Sequence, residues 1–95
     1  MKKFVLLYIG AQRKPSPEGM EKIKKWFEIL GDRIVDSGNP LMSGTEISES
    51  GAEVLPQKDE DVVGYSIINA ESIEEIEKLA KDCPTKIRAY EALPM

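Results

Sequence analysis

Two apolar runs stand out along the chain. FVLLYI (residues 4–9) and VVGYSIIN (residues 62–69) carry apolar side chains at almost consecutive positions and are rich in residues that favour strands. A strand of this kind usually has both of its faces covered, as in the centre of a sheet. On one face of the second run the middle positions, Gly64 and Ser66, are small. Because a glycine inside a strand often marks a close approach by another backbone or a ligand, we expect such an approach there.

Between these runs the apolar positions change to a helical spacing. Ser16 can cap a helix that has Pro17 at its first position. One stripe of this predicted helix recurs at spacings of three and four residues and consists of Met20, Ile23, Phe27, Leu30 and Ile34. Trp26, Ile29 and Arg33 form a second stripe beside it. The second stripe is either a wider core face or a contact surface for a second subunit.

A second helix and a last strand complete the pattern. ESIEEIEKLAKDC (residues 71–83) has apolar residues on one face, and Pro84 ends it. Ser72 and Glu75 have the S-x-x-E spacing of a capping box, in which each side chain bonds the backbone amide of the other residue. KIRAYEAL (residues 86–93) alternates apolar and polar positions, as a strand does when one of its faces is covered.

The order of these elements predicts an α+β fold. Two short alternating segments, TEIS and AEVL, lie around ESG and predict a small hairpin within residues 45–55. The whole order is then β-α-β-β-β-α-β within a single domain, residues 1–95. That is the split β-α-β, ferredoxin-like arrangement with an antiparallel sheet. Right-handed crossovers would put the two apolar runs side by side in the centre of that sheet.

The two apolar runs also predict a partner. Helices cover one side of a single sheet of this kind, so the other side of residues 4–9 must be covered by something else. A second copy of the chain is the simplest cover, because two such sheets packed face to face bury a shared core with two-fold symmetry. We therefore expect a homodimer of the dimeric α+β barrel type.

Composition removes several classes of function. The net charge is −4, from 13 Lys and Arg against 17 Asp and Glu, so the surplus of cations that a nucleic-acid-binding protein needs is absent. The chain has no histidine, which removes the commonest general base and the commonest metal ligand. With one cysteine, Cys83, no internal disulfide forms and a zinc site is disfavoured. We expect no metal and no organic cofactor, and we expect Cys83 to be a buried, unreactive thiol.

The beginning of the sequence resembles a signal peptide only superficially. MKKFVLLYIGA (residues 1–11) places two lysines before an apolar run, but Ile9 is not the small residue that cleavage after Ala11 requires. The polar stretch QRKPSP (residues 12–17) follows, and we expect it to form a loop. The apolar run is also too short to span a bilayer. We therefore expect a cytoplasmic protein without a membrane partner.

Three stretches of the chain resemble a known family. LGDRIVDSGNPL (residues 30–41), GYSIINAESIEEIEKLAKDCP (residues 64–84) and the ending YEALPM (residues 90–95) are similar to the YCII-related family of small dimeric α+β-barrel proteins. The resemblance implies a ferredoxin-like fold that dimerises through its sheet. Members taken to be enzymes are associated with a His–Asp pair in a pocket. Asp36 matches the aspartate of that pair, but the histidine has no counterpart, and LPQKDED (residues 55–61) stands where a related branch has D-G-P-F.

Asp36 is the candidate catalytic residue, and its position allows two interpretations. It lies at the predicted end of the first helix, just before Gly38, so its carboxylate either bonds the turn amides there or faces a pocket. A pocket is expected between the first helix and the sheet. Its predicted ligand-binding residues are Trp26, Asp36, Asn39, Tyr65 and Ser66. Apolar walls with a few polar groups suit a small organic molecule.

Two functions from different classes follow. The first is a dimeric YCII-related small-molecule-binding module without the His–Asp catalytic pair. The second is a cofactor-independent isomerase, lyase or monooxygenase that acts on a small aromatic or lactone-like substrate, with Asp36 as its base and Tyr65 as a hydrogen-bond donor. The absence of a base with an orienting partner favours the first function.

Overall fold

The structure has the predicted order of elements with one correction: a further short strand, Ile34–Asp36, lies between the first helix and the hairpin. The computed structural model describes residues 1–11 and 16–95, so most of the predicted loop at residues 12–17 lies outside the described residues. A 3₁₀ turn follows each helix, at Gly31–Arg33 and at Ala80–Asp82. In chain order the strands and helices are β1 (Lys2–Gly10), α1 (Pro17–Leu30), β2 (Ile34–Asp36), β3 (Thr45–Ser48), β4 (Gly51–Val54), β5 (Asp61–Ala70), α2 (Ile73–Leu79) and β6 (Lys86–Ala92).

Four of the strands form one antiparallel sheet in the order β2-β5-β1-β6. β1 and β5 are therefore the central pair, which confirms the prediction made from the two apolar runs. They are joined over nearly their whole length, from Lys2 opposite Ala70 to Gly10 opposite Asp61. The strand order and the two helices are compatible with a ferredoxin-like fold.

Both helices pack on one face of this sheet. Phe4 and Leu6 of β1 form one buried cluster with Trp26 and Leu30 of α1, and α2 adds Ile76 to the same cluster. Burial of an apolar side chain of this size contributes about 1.5–3 kcal/mol, so this face is a main source of stability. In the described part of the chain, both helices fall short of the length and hydropathy that a bilayer-spanning helix requires.

Burial along α1 differs from the prediction in each of the two stripes. Trp26, from the second stripe, is only 2% exposed, so its core interpretation is confirmed and its interpretation as a contact for a second subunit is wrong. Met20, from the first stripe, is 55% exposed. The buried face of α1 is thus rotated toward Trp26, and Ile23 and Phe27 lie half-buried at its border.

The first helix ends earlier than its periodicity predicts. Gly31 has a φ of +51° and its amide donates to the Phe27 carbonyl, so the α-helix stops at Leu30. Ile34, predicted as the last apolar position of the helix, instead begins β2, and Asp36 ends that strand rather than lying in a helical turn. Ile34 still packs on the core, but from the edge of the sheet, so its apolar character reflects burial and not a helical position.

The start of α2 keeps half of the predicted capping box. The Ser72 hydroxyl accepts a hydrogen bond from the Glu75 amide at 3.3 Å, as expected. The Glu75 carboxylate instead accepts from the Glu71 amide at 2.9 Å and from the Arg33 Nε at 2.6 Å. The hydrogen bond from Arg33 is the main reason why the pKa of Glu75 is lowered. Glu75 therefore ties the beginning of α2 to the turn that follows α1.

The other face of the sheet carries no helix of the described chain. Side chains alternate along a strand, so the neighbours of the buried residues point away from α1 and α2. Val5 pairs there with Ile67 on one side and with Tyr90 on the other, and Leu7 pairs with Tyr65. Tyr90 is exposed and the other four are half-buried. We call these five residues the open face, which is apolar and extends over both central strands.

β3 and β4 form a separate two-stranded sheet, which confirms the predicted hairpin. Ile47 pairs with Ala52 on one of its faces, and Glu46 pairs with Glu53 on the other. Every residue of both strands is exposed. Because like charges directly opposite each other are unfavourable and no side chain is buried, the hairpin is only weakly stabilised within the single chain.

Candidate functional site

A cleft of about 320 Å³ opens between α1 and the sheet, where residues 37–40 run beside β5. We call it the α1 cleft. Its walls are largely apolar: α1 contributes Ile23, Trp26 and Phe27, and the loops contribute Pro40 and Pro84. Among the described residues, its lining contains no aspartate, glutamate, lysine or arginine. The described walls of the cleft therefore suit an organic group.

A chain of hydrogen bonds runs behind the α1 cleft. The Trp26 Nε1–H donates to the Tyr8 hydroxyl at 3.0 Å, and the Tyr8 hydroxyl donates to the Ser66 Oγ at 2.8 Å. Ser66 is fully buried and donates in turn to the Ser37 carbonyl at 2.7 Å. We call this series the relay. Each of its hydroxyl and indole protons has an acceptor, so none of them is left for a ligand.

The relay also limits the chemistry of Tyr8. Burial raises the pKa of Tyr8, and its hydrogen bonds with Ser66 and Trp26 oppose that effect without cancelling it. The phenol therefore stays protonated at neutral pH and is a poor base, since even an unperturbed tyrosine ionises only at about pH 10. Tyr8 offers the cleft an aromatic ring, and its hydroxyl helps to hold the segment at Ser37 to the sheet.

Two glycines allow the segment of residues 37–40 to lie against β5. Gly38 has a φ of +83°, and a Cβ added there would stand 1.6 Å from the Tyr65 carbonyl oxygen. A Cβ added to Gly64 would lie 3.3 Å from the Asn39 carbonyl oxygen. The predicted close approach of another backbone at Gly64 is thereby confirmed. A side chain at Gly38 would push this segment off the strand and change the wall of the α1 cleft.

A hydrogen bond joins Asn39 to Tyr65. The Asn39 Nδ2 donates to the Tyr65 hydroxyl at 3.2 Å. Tyr65 keeps its own hydroxyl proton for a further bond, and Asn39 keeps its Oδ1 acceptor and a second amide proton. Because Tyr65 belongs to the open face, this hydrogen bond lies on the side of the sheet that points away from α1.

Asp36 stands outside the α1 cleft. Its Oδ1 accepts a hydrogen bond from the Gly38 amide at 2.8 Å, and the residue is exposed at the end of β2. This contact is the turn-forming arrangement, one of the two interpretations of its position. Asp36 is absent from the lining of the cleft, so its carboxylate does not face that space.

The predicted ligand-binding residues are only partly brought together. Three of the five line the α1 cleft: Trp26, Asn39 and Tyr65. Ser66 lies behind the lining and acts through Tyr8, and Asp36 is separate. The sequence-based set omitted Tyr8. Local spacing does not reveal it, because its place in the cleft depends on the pairing of Tyr8 with Gly64 between β1 and β5.

Cys83 packs at the border of the hydrophobic core and is half-buried, so it is less buried than expected. Burial raises the pKa of its thiol, while hydrogen bonding with Thr85 opposes the effect. Because the thiolate is the reactive form, this environment agrees with the expectation of an unreactive cysteine. Among the described residues, no group of three or more histidine, cysteine, aspartate or glutamate side chains is arranged to hold a metal ion.

A second cleft, of about 440 Å³, lies between the segments that flank the β3–β4 hairpin and the end of the sheet. Two of its charged lining residues already have partners. Glu60 pairs with Lys86, and the Asp61 carboxylate accepts a hydrogen bond from the Lys58 amide at 2.7 Å. These carboxylates have structural roles, so we regard the α1 cleft as the better candidate site.

Known proteins give no direct guide to the function of the chain. No protein-family model matches it, and no curated protein matches it. Its function must therefore be inferred from the α1 cleft and the open face.

Proposed function

We propose that this protein is a dimeric small-molecule-binding module of the YCII-related type, in which the α1 cleft holds the ligand and the open face joins two copies. The observation that carries the proposal is the α1 cleft, a largely apolar space between α1 and the sheet. Binding sites for small organic molecules have this character. Its volume of about 320 Å³ is near the lower end of the usual range of roughly 300–1,000 Å³, so the ligand is small.

The lining of the α1 cleft supports binding better than catalysis. General acid–base catalysis needs a titratable group within hydrogen-bond reach of the substrate. Tyr8 lines the cleft, but its proton is committed to Ser66. The alternative function, a cofactor-independent isomerase, lyase or monooxygenase, requires Asp36 to reach the ligand. The hydrogen bond between Asp36 and the Gly38 amide gives that alternative no support.

The open face supports self-association. Val5, Leu7 and Ile67 lie on the two central strands. Both helices cover the opposite face of the sheet and leave these apolar side chains without a cover. Covering such a face with a second copy removes apolar surface from water. A chain of 95 residues buries only a limited fraction of its surface on folding. A core shared with a second copy would increase that fraction and stabilise the fold.

Light scattering after size-exclusion chromatography tests the assembly. At micromolar concentration we expect twice the chain mass of 10.6 kDa. Leu7→Arg, on the open face, is expected to give a monomer, whereas Ile47→Arg, on the exposed hairpin, is expected to leave the mass unchanged. Tyr90→Lys serves as the test variant where circular dichroism shows that Leu7→Arg does not fold. A wild-type monomer, or folded open-face variants that remain dimeric, would contradict the proposed interface.

A fragment screen followed by NMR tests the α1 cleft. Trp26 is the single tryptophan, so its Nε1–H gives one indole resonance that reports on this site. Fragments that bind are expected to shift the resonance and to lose at least about tenfold in affinity in Ile23→Phe, which adds volume to the wall. Ile29→Phe is the matched control, because Ile29 lies on the same helix outside the lining. A screen without hits at the indole resonance would argue against a binding module.

A further inference from the structure

We propose that the second cleft, beside the β3–β4 hairpin, binds a small aliphatic carboxylate, whose anionic group Arg88 holds and whose tail lies against an apolar floor. This site goes beyond the proposed function, because it is separate from the α1 cleft and lies on the other side of the sheet. Two features of the second cleft support it: a floor of aliphatic side chains, and a cation without an ion-pair partner among the described residues.

The register of the sheet places the second cleft on the side that points away from α1. Ile9 follows Leu7 by two positions on β1, so both side chains point to that side. Val62 is paired with Ile9, and Arg88 is paired with Leu7, so their side chains point the same way. Ile9 is only 4% exposed, because the segments that flank the hairpin cover it. The second cleft thus continues the open face beyond Leu7, under a cover that the chain itself supplies.

The floor and walls of the second cleft are aliphatic. Ile9 and Val62 form the floor, while Leu41 and Leu55 come from the segments before and after the hairpin. The described lining contains no aromatic side chain. An alkyl chain that packs against such groups is removed from water, which is favourable. The volume of about 440 Å³ leaves room for a chain of several carbon atoms.

Arg88 supplies a positive charge that the fold leaves unused. Among the described residues, it takes part in no ion pair, and its guanidinium donates no hydrogen bond. Residues 12–15 lie outside the described residues, but their sequence, QRKP, contains no carboxylate that could neutralise Arg88. A guanidinium presents its donors in a fork that matches the two oxygens of a carboxylate. Arg88 can therefore hold a carboxylate ligand through two parallel hydrogen bonds.

The two carboxylates of the lining leave this charge unbalanced. Glu60 is paired with Lys86, and the hydrogen bond between them is the main reason why the pKa of Glu60 is lowered. The charge of Arg88 lowers the same pKa further, so Arg88 lies near this pair without bonding to it. Asp61 precedes the floor residue Val62, so its side chain points away from the floor, and it accepts a hydrogen bond from a backbone amide. A single unbalanced cation fits a monoanion better than a phosphate dianion.

Four probes that differ in charge or in tail length test this site: hexanoate, hexanamide, hexylamine and acetate. Each is titrated into the wild-type protein at neutral pH by calorimetry, and the Gly44 amide resonance reports on the second cleft because Gly44 lines it. We expect hexanoate to bind at least about tenfold more tightly than each of the other three probes. Hexanoate is expected to shift the Gly44 amide and to leave the Trp26 indole resonance of the α1 cleft unchanged.

Three variants test the role of Arg88. Arg88→Gln removes the charge from an exposed position and is expected to weaken hexanoate by about tenfold or more, in a chain that circular dichroism shows to be folded. Arg88→Lys keeps the charge without the fork and is expected to recover only part of the affinity. Lys3→Gln is the matched control, because it changes the net charge equally at the other end of β1, where Lys3 is exposed. It is expected to keep the wild-type affinity.

Several results would overturn the proposal. Equal binding of hexanamide and hexanoate, or full affinity of Arg88→Gln for hexanoate, would show that Arg88 does not hold the ligand. Equal binding of acetate and hexanoate would show that the apolar floor is not used, and an unshifted Gly44 amide would place the ligand elsewhere. A monomeric Arg88→Gln in light scattering would assign Arg88 to the dimer interface instead. None of these results bears on the α1 cleft, which the fragment screen tests separately.

Discussion

The Ser66 hydroxyl donates to the Ser37 carbonyl oxygen at 2.7 Å. The same hydroxyl accepts the Tyr8 proton at 2.8 Å, so one fully buried serine joins the centre of the sheet to the segment that follows β2. Among the described residues, every buried side-chain nitrogen or oxygen has a hydrogen-bond partner. The wall of the α1 cleft is therefore held in place by a network in which each buried polar side chain is hydrogen-bonded.

Removal of the Ser66 hydroxyl is expected to destabilise the fold. Ser66→Ala leaves the Tyr8 proton without an acceptor and the Ser37 carbonyl without a donor, and such a loss typically costs about 1–3 kcal/mol in the free energy of unfolding. Urea unfolding measures the change. Ser48→Ala is the control, because Ser48 is exposed on the hairpin, and it is expected to stay within about 0.5 kcal/mol of the wild type. Equal stability of the two variants would show that the relay contributes nothing.

Gly38 and Gly31 provide a comparison of steric clash with backbone strain. Both have positive φ, but a Cβ at Gly38 would meet the Tyr65 carbonyl oxygen, whereas a Cβ at Gly31 meets nothing within 4 Å. We expect Gly31→Ala to cost about 1 kcal/mol and Gly38→Ala about 3 kcal/mol or more. Chemical denaturation compares the two, and a Gly38→Ala variant as stable as Gly31→Ala would contradict the close packing of residues 37–40 on β5.

Glu75 is expected to give the stability a specific pH dependence. The pKa of its carboxyl is lowered, chiefly by the hydrogen bond from Arg33. A group of this kind stabilises the fold above its unfolded pKa, about 4.5, and the contribution is lost as the pH falls through the lower folded value. Glu75→Gln should therefore lower the melting temperature at neutral pH and converge with the wild type in acid.

Glu77→Gln is the matched control for Glu75. Glu77 lies on the same helix and is exposed, so its replacement should leave the melting temperature nearly unchanged across the same pH range. Thermal unfolding followed by circular dichroism from about pH 7 to about pH 3 gives both curves. A difference between Glu75→Gln and the wild type that does not vary with pH would exclude the ion pair as its cause.

Cys83 is expected to react slowly with thiol reagents. Because burial raises the pKa of the thiol, its thiolate fraction at neutral pH is smaller than that of an ordinary cysteine. We expect iodoacetamide to modify the folded protein at least about tenfold more slowly than the urea-unfolded chain, in which the thiol titrates near its ordinary value. Equal rates in the two states would place Cys83 in contact with water.

Much of the fold could be predicted because its strongest signals are periodic. The two central strands, the hairpin and α2 each have a run or an alternation that survives in the structure. β2 was missed because it is only three residues long and lies at the edge, where Val35 and Asp36 are exposed. Ile34 fits the apolar spacing of the preceding helix, so pattern alone cannot assign it to a strand. Gly31 was the available signal for the earlier helix end.

The candidate site was harder to predict because it depends on long-range register. Tyr8 and Ser66 are 58 positions apart, and Trp26 is 18 positions from Tyr8. Their contact requires the pairing of β1 with β5 and the rotation of α1, and neither follows from local spacing. The turn at Asp36 was accessible, because an aspartate two residues before a glycine often bonds the turn amide, as it does to Gly38 here.

The separate hairpin sheet has a consequence for how the molecule opens. Because all residues of β3 and β4 are exposed and none belongs to the core cluster, their unfolding requires no loss of buried contacts from the main sheet. We expect their amides to exchange with deuterium long before those of β1 and β5. A protease should accordingly nick the tip between Ser48 and Gly51 while the body stays folded, and that tip is the place where inserted sequence would be best tolerated.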